Sequence, residues 1–229
     1  MRQIFVLIVC MTLSNFIYAG FYLGATRVVY SQGSKGASIV VGNKADESIY
    51  LVQSWIDQAN QTDRAENFLV TPPLFRLDGE QNNVLRIFYS GSVDDLPKDR
   101  ESVFWLNVKA IPGAEKRDEN QLYLSYRNRI KLFYRPKGLK LDPDEAFKSA
   151  KFELESDKSL IVHNPTPYYL TFTSVKMNNK EMLTDPEMIA PFDKMQIVLA
   201  SAHSAGDTVT WQTINDYGGM TPEESYTLK

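Results

Sequence analysis

Residues 120–136 read NQLYLSYRNRIKLFYRP, and whether this stretch is strand or helix decides the fold. At strand spacing Leu122, Leu124, Tyr126, Asn128, Ile130, Leu132 and Tyr134 share one face. Tyr123, Ser125, Arg127, Arg129, Lys131, Phe133 and Arg135 share the other. The first face is mainly apolar and the second carries the cations, whereas a helix would scatter both sets around its circumference. The spacing predicts a long strand. It stops at Arg135-Pro136-Lys137-Gly138, where proline removes a ladder donor and glycine loosens the chain. Strand-and-turn sequence precedes this point and a second such series follows, so the strand sits at a junction between domains spanning 20–138 and 139–229.

Outward from that strand, the N-terminus has a different composition. Met1-Arg2, an apolar run from Ile4 to Leu13 and the small residue Ala19 have the layout of a secretory signal peptide covering 1–19, with cleavage expected after Ala19. Ser14-Asn15 interrupt the run before the roughly 20 apolar residues that a spanning helix needs. Cys10, the single cysteine, falls inside this segment, so thiol chemistry, disulfides and cysteine metal sites are not expected in the exported protein. A hydrophobic fraction of 43% over 229 residues predicts packed cores, and a net charge of −3 argues against nucleic acid as a partner. Arg127, Arg129, Lys131 and Arg135 are then a local basic stripe in an acidic chain. Two readings stand for it: a site for a specific anionic group, or charges that protect a strand edge from aggregation.

The rest of the chain punctuates short strands with turns. Residues 20–30 read as one first strand, in which Arg27 has the plain reading of a solvent-facing edge residue. Further strands are expected at 37–41, 48–56 with Trp55 as a core anchor, 84–89, and 103–111 with Trp105. Turns or loops are expected at 32–36, 42–46, 60–67, 76–79 and 94–99. The Thr71-Pro72-Pro73 sequence fixes chain direction and permits a cis peptide. Residues 142–150 fit either a turn of helix capped by its acids or a loop. Strands resume at 160–163, 168–177, 195–199 and 209–214. Many short strands without a long helical period predict an all-β protein of two Ig-like sandwiches.

Nothing in the sequence has the pattern of a catalytic centre. The two histidines, His163 and His203, lack surroundings that suggest catalysis, and no nucleophile elbow, phosphate loop or paired-histidine metal motif occurs. Asp94-Asp95 and Glu223-Glu224 read as solvated loop charge. Neither an enzyme nor a bound cofactor or metal is expected.

Several blocks in order resemble the periplasmic chaperones of the chaperone-usher pathway, which assemble bacterial pili. They are Thr26-Arg27, Thr71-Pro72-Pro73 with Arg76-Leu77, residues 96–102 (LPKDRES), 129–136 (RIKLFYRP), 164–169 (NPTPYY) and 214–219 (INDYGG). The resemblance implies two Ig-like domains set at an angle like a boomerang, with a subunit-binding cleft between them. It further implies pilus or fimbrial subunits and an outer-membrane usher as partners, periplasmic location, and donor-strand complementation as the mechanism. Leu122, Leu124 and Tyr126 match the family's alternating donor residues, and Arg27 and Lys131 the cations that grip a subunit's C-terminal carboxylate. Glu101, Arg135 and Asp216 match an interdomain ion network. A free chaperone's donor edge also offers self-association.

There are departures from the family pattern. Tyr126 stands where an aliphatic residue is usual, and the second-domain disulfide of some relatives cannot form. The short loop 112–119 resembles the class serving rod-like pili. An incomplete Ig-like fibre subunit or another exported binding module are the alternatives, and the expectation of two complete domains disfavours the first.

Overall fold

The computed structural model describes residues 20–46, 48–113 and 122–229. Residues 1–19, where a leader, its cleavage point and Cys10 are expected, and residues 114–121, which include the first two of the opening stretch, lie outside the described residues.

The first domain is built from β1 (Phe21–Leu23), β2 (Arg27–Ser31), β3 (Ala37–Asn43), β4 (Tyr50–Asp57), β5 (Phe68–Thr71), β6 (Leu74–Leu77), β7 (Asn82–Tyr89), β8 (Ser102–Pro112) and β9 (Tyr126–Arg135). They form two facing sheets, β1-β3-β7-β5 and β2-β9-β8-β4-β6. The core between them holds Val41, Val52, Leu77, Leu85, Leu106, Leu132 and Tyr134. Tyr30 stacks on Tyr134 with ring centroids 5.9 Å apart, and Phe68 meets Phe104 edge-on at 4.7 Å.

Four expectations change here. Residues 20–30 are not one strand: the chain breaks at Gly24-Ala25-Thr26, so β1 joins one sheet and β2 the other. Gly24 suits the crossing, because a Cβ there would stand 3.2 Å from the Val40 side chain while its N–H bonds Val40 O. Arg27 is therefore not solvent-facing but only 6% exposed. Trp55 is not a core anchor either, since Tyr50, Val52 and Ile56 take the core face of β4; Trp55 lies on the other face under the Arg64 guanidinium, 4.3 Å from its ring centre. Arg76 and Leu77 belong to β6 rather than a turn, and pairing with β4 buries Leu77 in the core. The Thr71–Pro72 bond is cis, at the passage from β5 in one sheet to β6 in the other.

Beyond Pro136 the chain enters the second domain through α1 (Pro143–Ala146), capped by the Asp142 carboxylate accepting from Asp144 N–H at 3.0 Å. This settles the open choice at 142–150 in favour of a helical turn. The domain continues with β10 (Lys151–Ser156), β11 (Ser159–His163), β12 (Leu170–Met177), β13 (Lys180–Glu181), β14 (Glu187–Ile189), β15 (Lys194–Val198), β16 (Thr208–Thr213) and β17 (Glu224–Thr227). One sheet is β10-β11-β15; the other is β13-β12-β16-β17 with β14 added to β12. Its core packs Phe152, Leu160, Phe172, Val175, Met177 and Trp211. The edge strands β10, β13, β14 and β17 were not among the expected strands. They are short or carry charge on alternate residues, which weakens their hydrophobic signal.

β9 begins at Tyr126, so Leu122 to Ser125 precede it outside the strand. At its other end both faces are covered. Leu132 and Tyr134 enter the first domain's core, while Phe133, from the basic face, is buried with its ring 5.5 Å from that of Tyr169 in the second domain.

Candidate functional site

β8 accompanies β9 from Ser102 opposite Tyr134 to Ala110 opposite Tyr126. On the other side β2 runs parallel to β9 but covers only Lys131 to Arg135, with Arg27 opposite Lys131. From Tyr126 to Ile130 this side of β9 has no neighbouring strand among the described residues. An uncovered edge presents backbone donors and acceptors ready for another strand. The break at residues 24–26 that starts β2 late is the local cause of this opening.

Where the open edge ends, two cations stand side by side. Arg27 Nη1 donates to Ile214 O of the second domain at 3.1 Å, and its buried Nε has no hydrogen-bond partner. Lys131 Nζ lies 3.2 Å from Thr171 Oγ1, also in the second domain. Neither cation is in an ion pair among the described residues. Burial and, after it, the neighbouring Arg27 charge lower the Lys131 pKa to about 8, with Glu187 opposing the shift. Burial also lowers that of Arg27, against the pull of Asp216 and Glu101. Like charges on adjacent strands repel, and an unpaired buried donor is costly. A carboxylate placed here would relieve both, with charge-assisted bonds from two sides.

A second group of charges joins the domains next to this site. Arg135 Nε donates to Glu101 Oε1 at 2.7 Å, and its Nη1 and Nη2 make a bidentate pair with Asp216 at 2.6 and 2.8 Å. Glu101 Oε2 accepts from Tyr169 N–H at 2.9 Å, and Glu101 N–H donates to Pro167 O at 2.9 Å. The Arg135 guanidinium also lies 5.0 Å from the Tyr168 ring centre. Burial works against the Arg135 charge, but its bonds to Asp216 and Glu101 more than offset it and its pKa is raised. Desolvation pushes the nearly inaccessible Glu101 up, opposed chiefly by Arg135. This cluster holds Tyr169, and hence the start of β12 with Thr171, against the first domain.

The structure brings Arg27 and Lys131 together and, separately, Glu101, Arg135 and Asp216. Leu122, Leu124 and Tyr126 are 84%, 59% and 55% exposed, with only Tyr126 inside β9. Arg129 is occupied on the protein itself, donating to Asn107 Oδ1 at 3.0 Å and Gln61 Oε1 at 2.6 Å. Sequence reasoning missed Thr171 and the Ile214 carbonyl. A strand threonine or a backbone carbonyl just past a strand carries no sequence mark of such a role.

His203 has richer surroundings than the sequence suggested. Its Nδ1 is 2.7 Å from Asp207 Oδ2 and its Nε2 is 3.2 Å from Ser201 Oγ. These contacts lie within one loop, where Asp207 also accepts from Ser204 N–H, and His203 N–H ties that loop to the β10–β11 turn by donating to Asp157 O. They close the β15–β16 connection on itself. Among the described residues no three His, Cys, Asp or Glu side chains converge as a metal site.

Comparison with known proteins matches this geometry to a family. A model of the pili and flagellar-assembly chaperone PapD N-terminal domain covers residues 20–140, and one of the pili assembly chaperone PapD C-terminal domain covers 145–225. The chain is 42% identical to the chaperone protein FocC of Escherichia coli over 214 residues, 93% of this chain and 92% of that one. It is 44% identical to the chaperone protein FimC of Escherichia coli K12 over 207 residues, 90% and 83% of the respective chains. Among solved structures, the periplasmic chaperone SfaE aligns with TM-score 0.79 at 40% identity, covering 92% of this chain and all of that one. The SafB chaperone of Salmonella enterica, solved with the SafA pilin, aligns with TM-score 0.80 at 35% identity over 91% and 96%. The two-sandwich architecture and this likeness along nearly the whole chain place the protein in the PapD-like family of fimbrial chaperones.

Proposed function

We propose that the protein captures pilus subunits in the periplasm by donor-strand complementation and delivers them to an outer-membrane usher. The observation that carries this is the open edge of β9 ending at the unpaired Arg27–Lys131 pair. A strand lying along Tyr126 to Ile130 occupies the lane that β2 fills further on. If its C-terminal carboxylate rests on Arg27 and Lys131, it must run parallel to β9, because the open edge lies on the N-terminal side of those cations. Main-chain bonds give affinity without regard to sequence, and the two cations set the register.

Leu122, Leu124 and Tyr126 supply apolar side chains to the groove of an incomplete subunit. Full burial of each is worth roughly 1.5–3 kcal/mol before ordering costs. The Tyr126 ring demands a wider pocket than an aliphatic residue would. Glu101, Arg135 and Asp216 act as the brace that sets the angle between domains. Each domain has its own closed core, unlike a subunit that lacks a strand. Periplasmic location is supported by the leader-like composition of residues 1–19 and by likeness to SfaE, a chaperone described as periplasmic. The role is binding and transfer, without chemistry. A free molecule's open edge also permits pairing with a second copy, in competition with a subunit.

Isolation from native periplasm tests this reading. Fimbrial subunits are expected to co-purify at neutral pH, and their retention should weaken as pH rises through about 8, where free Lys131 loses its proton. The loss approaches about tenfold per pH unit at its steepest, because one proton is taken up on binding. Recovery without subunits, or retention that is flat or increases from pH 7 to 9, contradicts it.

A further inference from the structure

Arg127 lies four residues before Lys131 on the same face of β9, and Lys109 of β8 stands directly opposite it. Arg127 is exposed and Lys109 half-buried. Neither is in an ion pair or side-chain hydrogen bond among the described residues. Arg129, between Arg127 and Lys131 on that face, is by contrast committed to Asn107 and Gln61. Two like charges facing each other across a ladder are destabilising, and they sit beside the open part of the edge. A strand docked in the β2 lane brings one outward side chain level with Arg127.

We propose that Arg127 and Lys109 form an outer subsite for an acidic side chain of the captured strand. With strand residues about 3.3 Å apart, that side chain belongs to a residue about two to four positions before the terminal carboxylate. This rests on the reading that the carboxylate docks at Arg27 and Lys131. The occupant is an acidic extended peptide segment, chosen by charge: its carboxylate meets Arg127, with Lys109 on the next strand behind it, whereas a basic residue at that level adds a third like charge to the row. The subsite selects among partners that all share a free C-terminus and an apolar inner face. Its exposure limits the discrimination to about two- to fivefold per charge.

The test uses the full exported protein and synthetic strand-forming peptides of alternating valine and threonine with a free C-terminal carboxylate. A single aspartate is moved through the C-terminal half, and each peptide is also made with an amidated C-terminus. One outward aspartate position is expected to tighten binding about two- to fivefold. The gain should vanish in Arg127→Ala/Lys109→Ala, and Arg127→Glu should shift the preference to lysine at that position. If free-acid peptides bind better than amidated ones but no aspartate position helps, or the gain survives in the double variant, the outer subsite is wrong while the carboxylate site stands. If free-acid and amidated peptides bind alike, or neither binds, the docking reading itself fails and the subsite with it. A protein that only self-associates more in Arg127→Glu, with peptide preferences unchanged, has these cations as edge protection and overturns the proposal.

Discussion

Lys131→Met is expected to abolish subunit capture while leaving the free protein at least as stable as before. The two halves of this expectation have one cause. Burial and Arg27 lower the Lys131 pKa to about 8, below the roughly 10.4 of an unfolded lysine. Below pH 8 both states are protonated and the folded state bears the full cost of the charge. Between pH 8 and the unfolded value the folded state gives up its proton first, and the cost is relieved as pH rises. Methionine keeps the length of the side chain and removes the charge, so at pH 7 it relieves repulsion with Arg27 and loses one hydrogen bond to Thr171.

In the complex the same change leaves a carboxylate facing Arg27 alone. Truncating one partner of a buried charge-assisted pair costs about 2–5 kcal/mol of binding. Arg27→Ala should weaken capture by a similar amount but also sever the bond to Ile214 O. Thermal unfolding and co-purification from periplasm check both halves. Capture undiminished in both variants would remove the carboxylate site from the account.

Arg135→Ala is the second large effect, and here stability falls. Arg135 is the partner of Glu101, whose side chain is only 2% exposed, and of Asp216, which is 30% exposed. Its removal leaves Glu101 buried with the Tyr169 N–H as its remaining side-chain partner across the domain seam. Breaking a buried pair from one side costs about 3–5 kcal/mol. Capture should weaken too, since Thr171 and Ile214 are no longer held opposite Lys131 and Arg27. Glu101→Gln added to Arg135→Ala should recover part of the stability by removing the stranded charge. Denaturant unfolding measures the first effect, and small-angle scattering detects a loosened interdomain angle. A loss under about 1 kcal/mol with capture unchanged would make the cluster ordinary surface pairing.

Much of this was legible in residues 120–136, but unevenly. Alternation found the two faces of β9 and its end at Pro136. It did not show that Phe133 and Lys131 face a second domain, because long-range packing has no period in sequence. It also placed the strand start too early: Leu122 and Leu124 have strand spacing but lie before β9 and outside any strand. Trp55 misled because aromatic size suggests a core, whereas its odd position among Tyr50, Val52 and Ile56 sends it outward. The open edge was hidden for a similar reason. It depends on where β2 begins, and Gly24-Ala25-Thr26 reads as ordinary strand until its neighbours in two sheets are known. Roles for Arg27, Lys131 and Arg135 came from family likeness, and the geometry then supplied their partners.

The central claim is that the Tyr126–Ile130 edge of β9 receives the partner's strand. Amide hydrogen exchange tests it most directly, comparing the free protein with its complex with a co-purified subunit. Backbone N–H groups of Tyr126–Ile130 that point away from β8 should exchange quickly when free and become strongly protected on capture. Unchanged exchange along this edge, with protection appearing at another edge such as β6 or β17, would contradict the account.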